Sequence, residues 1–230
     1  MAVQSKTRQD DAYQRIRADI LAGRVKPGQK LPFAELSENY PFSVGVLREA
    51  LSRLVEQGLV ENEPQRGYFV TPISRTDLLN LTVARVEIET LTLRHAMANG
   101  DFAWESEVLA AHHRLATTSF YAPGDPSRIS EEWAEAHSVF HQTLLSGSEN
   151  PRLTAIATQL RASAELYRRW SLPLGHGESR DIAQEHRAIV DAVLGHDVEL
   201  AVRRLTDHIN LTTTLLVEAG AADPLVAGDR

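Results

Sequence analysis

The chain has 230 residues, 43% hydrophobic and 24% charged, with a formal net charge of −7. That is enough chain to bury a core, as one large domain or two smaller ones. The absence of cysteine excludes a disulfide framework and leaves His, Asp and Glu as the donors of any transition-metal site. No apolar run is long enough to span a membrane, and MAVQSKTRQDDAYQRI has no apolar signal core, so a cytoplasmic protein is expected.

Acidity by itself argues against nucleic-acid binding, but the charge is unevenly spread. Residues 1–74 hold ten cations and nine anions, a balance of +1, and the remainder carries −8. A near-neutral head on an acidic body suggests two domains, residues 1–74 and 75–230.

AYQRIRADILAGRV reads as an amphipathic helix, with Ile16, Ile20 and Leu21 at helical spacing and Gly23 as terminator. PGQKLP is a loop, and FAELSENY a short second helix. Ser43 caps a third helix whose apolar face is Val46, Leu47, Ala50, Leu51 and Leu54, ending at Gly58. Two short β runs follow, Leu59–Glu63 and Gly67–Thr71, joined by a turn at Pro64–Gly67. This is the order of a winged helix-turn-helix, whose recognition helix enters a major groove. Arg48 and Arg53 lie on that helix and Arg66 at the ribbon tip, where guanidinium groups suit phosphates and guanine edges. The alternative is a small packing module with solvated arginines.

ILAGRVKPGQKLPFAELSENY, LREALSRLVEQGLV and PQRGYFV closely resemble the DNA-binding domain of the GntR family of bacterial transcription regulators. The resemblance implies that Arg48 and the wing residues Arg66 and Gly67 approach DNA, the glycine letting backbone come close. Ala34 and Val44 stand where many relatives carry DNA-facing arginines, while Ser43 and Arg48 remain and Lys30 compensates in part. Lower affinity or a different operator is expected.

From Ser74 to about Leu216 the chain reads as nearly all helix, a bundle of about six. The predicted spans are Arg75–Asn99, Phe102–Ser119, Ser130–Leu145, Pro151–Trp170, Ser179–Leu194 and Val198–Leu216. NGD, YAPGDPS, SGSENP, SLPLGHGES and GHD punctuate them. Leu79, Val83, Val86, Thr90 and Leu93 are spaced as one buried face of the first. Leu200, Leu205, Ile209, Leu211 and Leu215 do the same for the last, and the tail AGAADPLVAGDR reads as frayed. The fold class is therefore mainly α, a winged helix-turn-helix followed by an all-α bundle. Trp104, Trp133 and Trp170 read as packing residues.

EAHSVFHQTLL places His137 and His141 on one helix face. His186 and His208 sit near the apolar boundaries of the last two helices. Any one of these histidines alone reads as an ordinary core residue. WAEAHSVFHQTLLSGSENPRL and EHRAIVDAVLGHDVELAVRRLTDHI, however, look like the FCD effector domain of the FadR-type branch of the same family. The resemblance implies one divalent metal at His137, His141, His186 and His208. It has His137 where the family usually has Asp or Asn. Neutral imidazoles shift preference toward zinc, nickel or copper, with zinc or nickel expected. A site left more positive favours an anionic effector. Whether His137 ligates stays open, the alternative being three histidines plus waters.

Asp181 and Glu185 are candidate acceptors for ligand N–H groups. Arg85 reads either as a partner for an effector carboxylate or as a surface ion pair with Glu89. Arg161, Tyr167 and Arg168 are further candidates for the pocket wall. The function expected is a non-enzymatic, ligand-responsive repressor. It binds a near-palindromic double-stranded DNA operator as a homodimer and senses a small carboxylate at a metal-containing pocket. The rival readings are a regulator with a purely structural metal and a metal-dependent enzyme. No HExxH-like motif supports the enzyme.

Overall fold

The computed structural model describes residues 7–171 and 180–218; the side chains of residues 126–128, 170 and 171 are outside that description. The SLPLGHGES break, the C-terminal tail and the packing of Trp170 therefore lie largely outside the described residues. Among the described residues no helix is long and apolar enough to cross a membrane.

The head comprises α1 (Arg8–Leu21), α2 (Phe33–Asn39), α3 (Val44–Glu56) and an antiparallel ribbon of β1 (Val60–Glu63) and β2 (Gly67–Val70). A reciprocal Thr7–Asp10 capping box starts α1, and the Ser43 hydroxyl accepts from the Val46 amide at the start of α3. Each satisfies a helix-end donor that would otherwise lack a partner. Ile16 and Ile20 of α1 interdigitate with Leu47, Leu51 and Leu54 of α3 in the head core. Gly58 turns the chain out of α3 at φ +69. The positive φ favours glycine there, and a Cβ would meet only the rotatable Ser163 hydroxyl at 2.5 Å, with Ser163 Cβ at 3.7 Å.

Six helices build the described body: α4 (Arg75–Asn99), α5 (Phe102–Thr117), α6 (Glu131–Ser146), α7 (Pro151–Ser171), α8 (Ile182–Leu194) and α9 (Val198–Glu218). Ser74, Asp101, Ser130 and Asp181 cap α4, α5, α6 and α8 with their side-chain oxygens. The core joins Leu93, Val108, Trp133, Phe140, Ile189, Val193, Leu205 and Ile209. Trp104 and Trp133 are buried, as packing residues should be.

Three expectations need correction. The body is not purely helical: YAPGDPS lies in a small hairpin of β3 (Tyr121–Ala122) and β4 (Asp125–Ile129), with Gly124 at φ +76 in the reversal. Its strands are too short to show alternation. The buried face of α4 is also displaced. Leu78, Leu81, Thr82, Glu89, Thr92, Leu93 and Ala96 are buried, whereas Leu79 is 40% and Val83 64% exposed. Apolar residues occur around most of α4, so spacing alone selects the neighbouring stripe. On α9, Leu205 and Ile209 are buried but Leu211 faces outward.

Candidate metal centre

His137 and His141 project from α6, His186 from α8 and His208 from α9, and all four are buried. One candidate ligand atom from each lies within 4.8 Å of all the others. Nitrogens arranged tetrahedrally on one ion at about 2.1 Å stand about 3.4 Å apart, so an inward movement of each ring by less than about 1 Å would close the cluster on a metal. The donor set fits: Nε2 of His141 and Nε2 of His186 are buried with no hydrogen-bond partner. A buried imidazole nitrogen without a partner is costly, and an ion would satisfy both.

Burial comes first in holding all four imidazoles neutral, the form that ligates. Nearby cations add to it, Arg168 for His137 and Arg161 for His141. At His208 the Glu185 carboxylate opposes burial without overcoming it. Glu185 Oε2 accepts from His208 Nδ1 at 2.7 Å. Burial disfavours that carboxylate, yet hydrogen bonds from Arg180 and His208 outweigh it and hold its pKa at about 2. Of the two candidate acceptors, Glu185 therefore orients a histidine of the cluster, although not its neighbour His186. Asp181 instead caps α8, accepting from the Gln184 amide.

A cavity of about 50 Å³ opens beside the cluster, lined by Arg85, Arg161, Arg168 and Arg180 together with His137, His208 and Trp133. The Arg85–Glu89 ion pair exists, but it is not on the surface. The Arg85 side chain is 12% exposed and Glu89 fully buried, with Arg85 Nε at 2.7 Å and Arg161 Nη1 at 2.9 Å from its oxygens. Burial raises the pKa of Glu89, but Arg85 and Arg161 bring it below the ordinary value. Two guanidinium groups thus share one carboxylate in the cavity wall. Arg180 is not foreseen as part of the wall: the expected helix begins at Ser179, whereas α8 begins at Ile182 and leaves Arg180 before its cap, Asp181. Arg180 is fixed by Glu185 and by Thr212 Oγ1 at 3.0 Å.

Consecutive residues of α7 link this wall to the head. Arg168 Nη1 lies 3.0 Å from His137 Nδ1. The Tyr167 hydroxyl donates to Asp77 at 2.6 Å and receives the Ser74 amide at 3.2 Å. Leu166 belongs to the head core. A second cavity of about 260 Å³ lies between Tyr13, Arg17 and Gln57 of the head and Glu135, His137 and Arg161 of the body. His137 and Arg161 line both cavities.

In the head, Arg48 is exposed on α3, its guanidinium 5.5 Å from the Phe33 ring centre. Arg53 lies in the last turn of α3, bound to Asp10 at 2.8 Å and 4.1 Å from the Tyr13 ring centre. Arg66 pairs with Glu63 within the wing. Lys30 and Arg66 both approach the Phe69 ring, and Gly67 at φ +95 leaves the wing backbone open. The Ser43 side chain is engaged as a helix cap.

Residues 8–70 match the bacterial regulatory proteins of the gntR family, and residues 80–211 the FCD domain. The HTH-type transcriptional regulator BphR of Paraburkholderia xenovorans (strain LB400) is 34% identical over 90% of this chain and 84% of its own. The HTH-type transcriptional repressor GlaR of Escherichia coli (strain K12) is 31% identical over 93% of this chain and 97% of its own. The fold is that of E. coli McbR/YncC, with a TM-score of 0.71 at 19% identity over 92% of this chain and 98% of that one. A putative GntR regulator from Rhodococcus sp. RHA1 gives 0.67 at 23% identity, over 92% and 98%. The family matched by the head and both of these relatives are named as regulators. The chain belongs to the GntR family of bacterial transcription regulators, with an FCD domain behind its DNA-binding head.

Proposed function

We propose that this regulator is a metal-dependent sensor of a small carboxylate that represses transcription and releases DNA when the acid binds. The observation that carries the reading is a buried four-histidine cluster opening onto an arginine-lined cavity. One divalent transition metal, zinc or nickel, suits this neutral nitrogen set. When bound, the metal offers an open position to an anion. Arg85 and Arg161 bring a net positive charge beside it, because among the described residues they share the single carboxylate of Glu89. Repression agrees with the name of the repressor GlaR, and a DNA target supports a cytoplasmic protein.

In the head, residues 1–74, Arg48 and Arg66 carry the charge toward a near-palindromic operator, with Gly67 allowing close backbone approach. Lys30 and Arg53 support that surface, and Ser43 fixes the start of the recognition helix. Residues 75–230 sense the effector and dimerise. The exposed α4 residues Leu79, Val83 and Leu91 fit a second copy of the chain, which would bury them.

The coupling runs through α7, which touches His137 and the head core within a single turn. An effector alters DNA binding only by favouring one head position over another. The test is operator affinity at fixed metal, titrated with a panel of small carboxylates. An acid that weakens operator binding and is recovered unchanged supports the sensor. No response to any acid, with thermal stability still lost on metal removal, would show a structural metal. Chemical conversion of the acid would show an enzyme.

A further inference from the structure

The four histidines are not equivalent, and the partners of their second nitrogens separate them. A neutral imidazole has one N–H and one lone-pair nitrogen. His208 Nδ1 faces the Glu185 carboxylate at 2.7 Å. A carboxylate only accepts, so the proton is on Nδ1 and the lone pair on Nε2. His137 Nδ1 faces the Arg168 guanidinium at 3.0 Å. A guanidinium only donates, so here the lone pair is on Nδ1, already engaged, and the proton is on Nε2. His141 and His186 hold their Nε2 atoms buried and without partners.

Ring spacing distinguishes His137 at one contact. Rings on one ion, at bonds of about 2.1 Å, have centres roughly 5 Å apart. The pairs among His141, His186 and His208 measure 5.3, 5.2 and 4.8 Å. His137 stands 4.6 and 5.1 Å from His141 and His186 but 6.2 Å from His208, so the partners of the second nitrogens carry the distinction. Trp133 stacks on His137 at 4.7 Å and 19°, and so restrains that ring.

Resting on the metal-centred reading above, we propose that His141, His186 and His208 are the three ligands, and that His137 instead recognises the bound anion. Arg168 positions it. By donating to Nδ1, Arg168 forces the proton onto Nε2, giving a hydrogen-bond donor beside the metal's open position. One oxygen of a small carboxylate takes that position and the other accepts from His137. The selectivity is then for an anion with two adjacent acceptor oxygens, because a halide or thiocyanate leaves the His137 donor without a second oxygen. Site charge supports the division of labour: three neutral ligands leave the full dication for the anion to offset.

Cobalt(II) loaded into the full chain tests this, through its visible spectrum, its affinity by chelator competition, and acetate as the probe. His137→Phe keeps an aromatic ring against Trp133 and removes both nitrogens. It should bind cobalt within about threefold of the wild type and lose about tenfold or more in acetate affinity. His208→Phe should lose cobalt by about two orders of magnitude. Arg168→Leu frees the His137 lone pair, so its spectrum should move toward that of a site with an additional nitrogen ligand. Equal loss of cobalt in His137→Phe and His208→Phe overturns the proposal while leaving the sensor intact. So does an Arg168→Leu spectrum identical to the wild type, which also covers the case in which His137→Phe fails to fold. A wild type that binds no cobalt overturns the metal-centred reading and this assignment together.

Discussion

Leu166 and Arg168 stand two residues apart on α7 yet serve different domains. Leu166 is buried in the core of the DNA-binding head, and Arg168 reaches His137 in the body. Tyr167 between them ties α7 to the start of α4 through Asp77 and Ser74. A shift of one turn of α7 therefore moves both the cavity wall and the seat of the head. Leu166→Ala removes the head's grip at a cost of about 2–5 kcal/mol. It should also shrink the ratio of operator affinities with and without acid, at fixed metal. Fluorescence anisotropy on a labelled operator reads this ratio, and an unchanged ratio contradicts coupling through α7.

The two arginines of α3 should behave differently on DNA. Arg48 is exposed, whereas Arg53 is held to α1 by Asp10 and Tyr13. Arg48→Ala should weaken operator binding by about 1–3 kcal/mol. Arg53→Ala should weaken it less and lower head stability by no more than about 1 kcal/mol, because its ion pair is partly exposed. Titrations at two salt concentrations, beside thermal melts, separate the two effects. Equal losses of DNA affinity would place Arg53 in the interface as well.

Glu89 is a buried anion held by two cations, Arg85 and Arg161. Glu89→Gln keeps the shape but leaves two guanidinium groups without a countercharge. Breaking a buried pair in this way costs about 3–5 kcal/mol, a fall of roughly 10 °C in Tm for a chain of this size. Calorimetry of the metal-free protein measures it. A Tm within a degree or two of the wild type would mean that water or rearrangement already screens the pair.

Acid should destabilise the metal-free protein early. Burial depresses the folded-state pKa of His137, His141, His186 and His208 below the ordinary 6.5. The unfolded chain then takes up more protons than the folded one below that value. The stability these groups contribute is fully present above about pH 6.5. It is lost as pH falls from there toward the depressed folded values. Metal should protect, since it binds only neutral imidazole. Tm measured from pH 8 to pH 5 should fall in the metal-free protein as the pH drops below about 6.5. Zinc should raise the curve by a constant gap while the folded imidazoles stay neutral, and the gap should narrow once they protonate. A metal-free Tm that does not fall between pH 7 and pH 5 would contradict linkage at these histidines.

Much of this was legible in the sequence because the determining signals are local. Ser43, Gly58 and the apolar spacing of α3 locate the recognition helix within a residue or two. The convergence of His137, His141, His186 and His208 is anticipated through the resemblance to the FCD domain, the i, i+4 pair on one helix being its local sign. What escaped depends on tertiary partners. Arg180 is expected at the start of a helix, but α8 starts at Ile182, and only the tertiary contacts with Glu185 and Thr212 place Arg180 at the cavity. Glu185 serves His208 across two helices rather than its neighbour His186. The buried stripe of α4 is set by what packs on it, and its own apolar residues offer more than one choice.

The central claim is a metal held at the histidine cluster, and elemental analysis of the purified full chain, wild type beside His208→Ala, tests it most directly. The account predicts about one divalent transition-metal ion per wild-type chain, as a single shared site requires, and its loss from the variant. A wild type that stays metal-free after loading with zinc and nickel would contradict it, leaving the cluster as a neutral wall of a cavity that binds its effector without a metal.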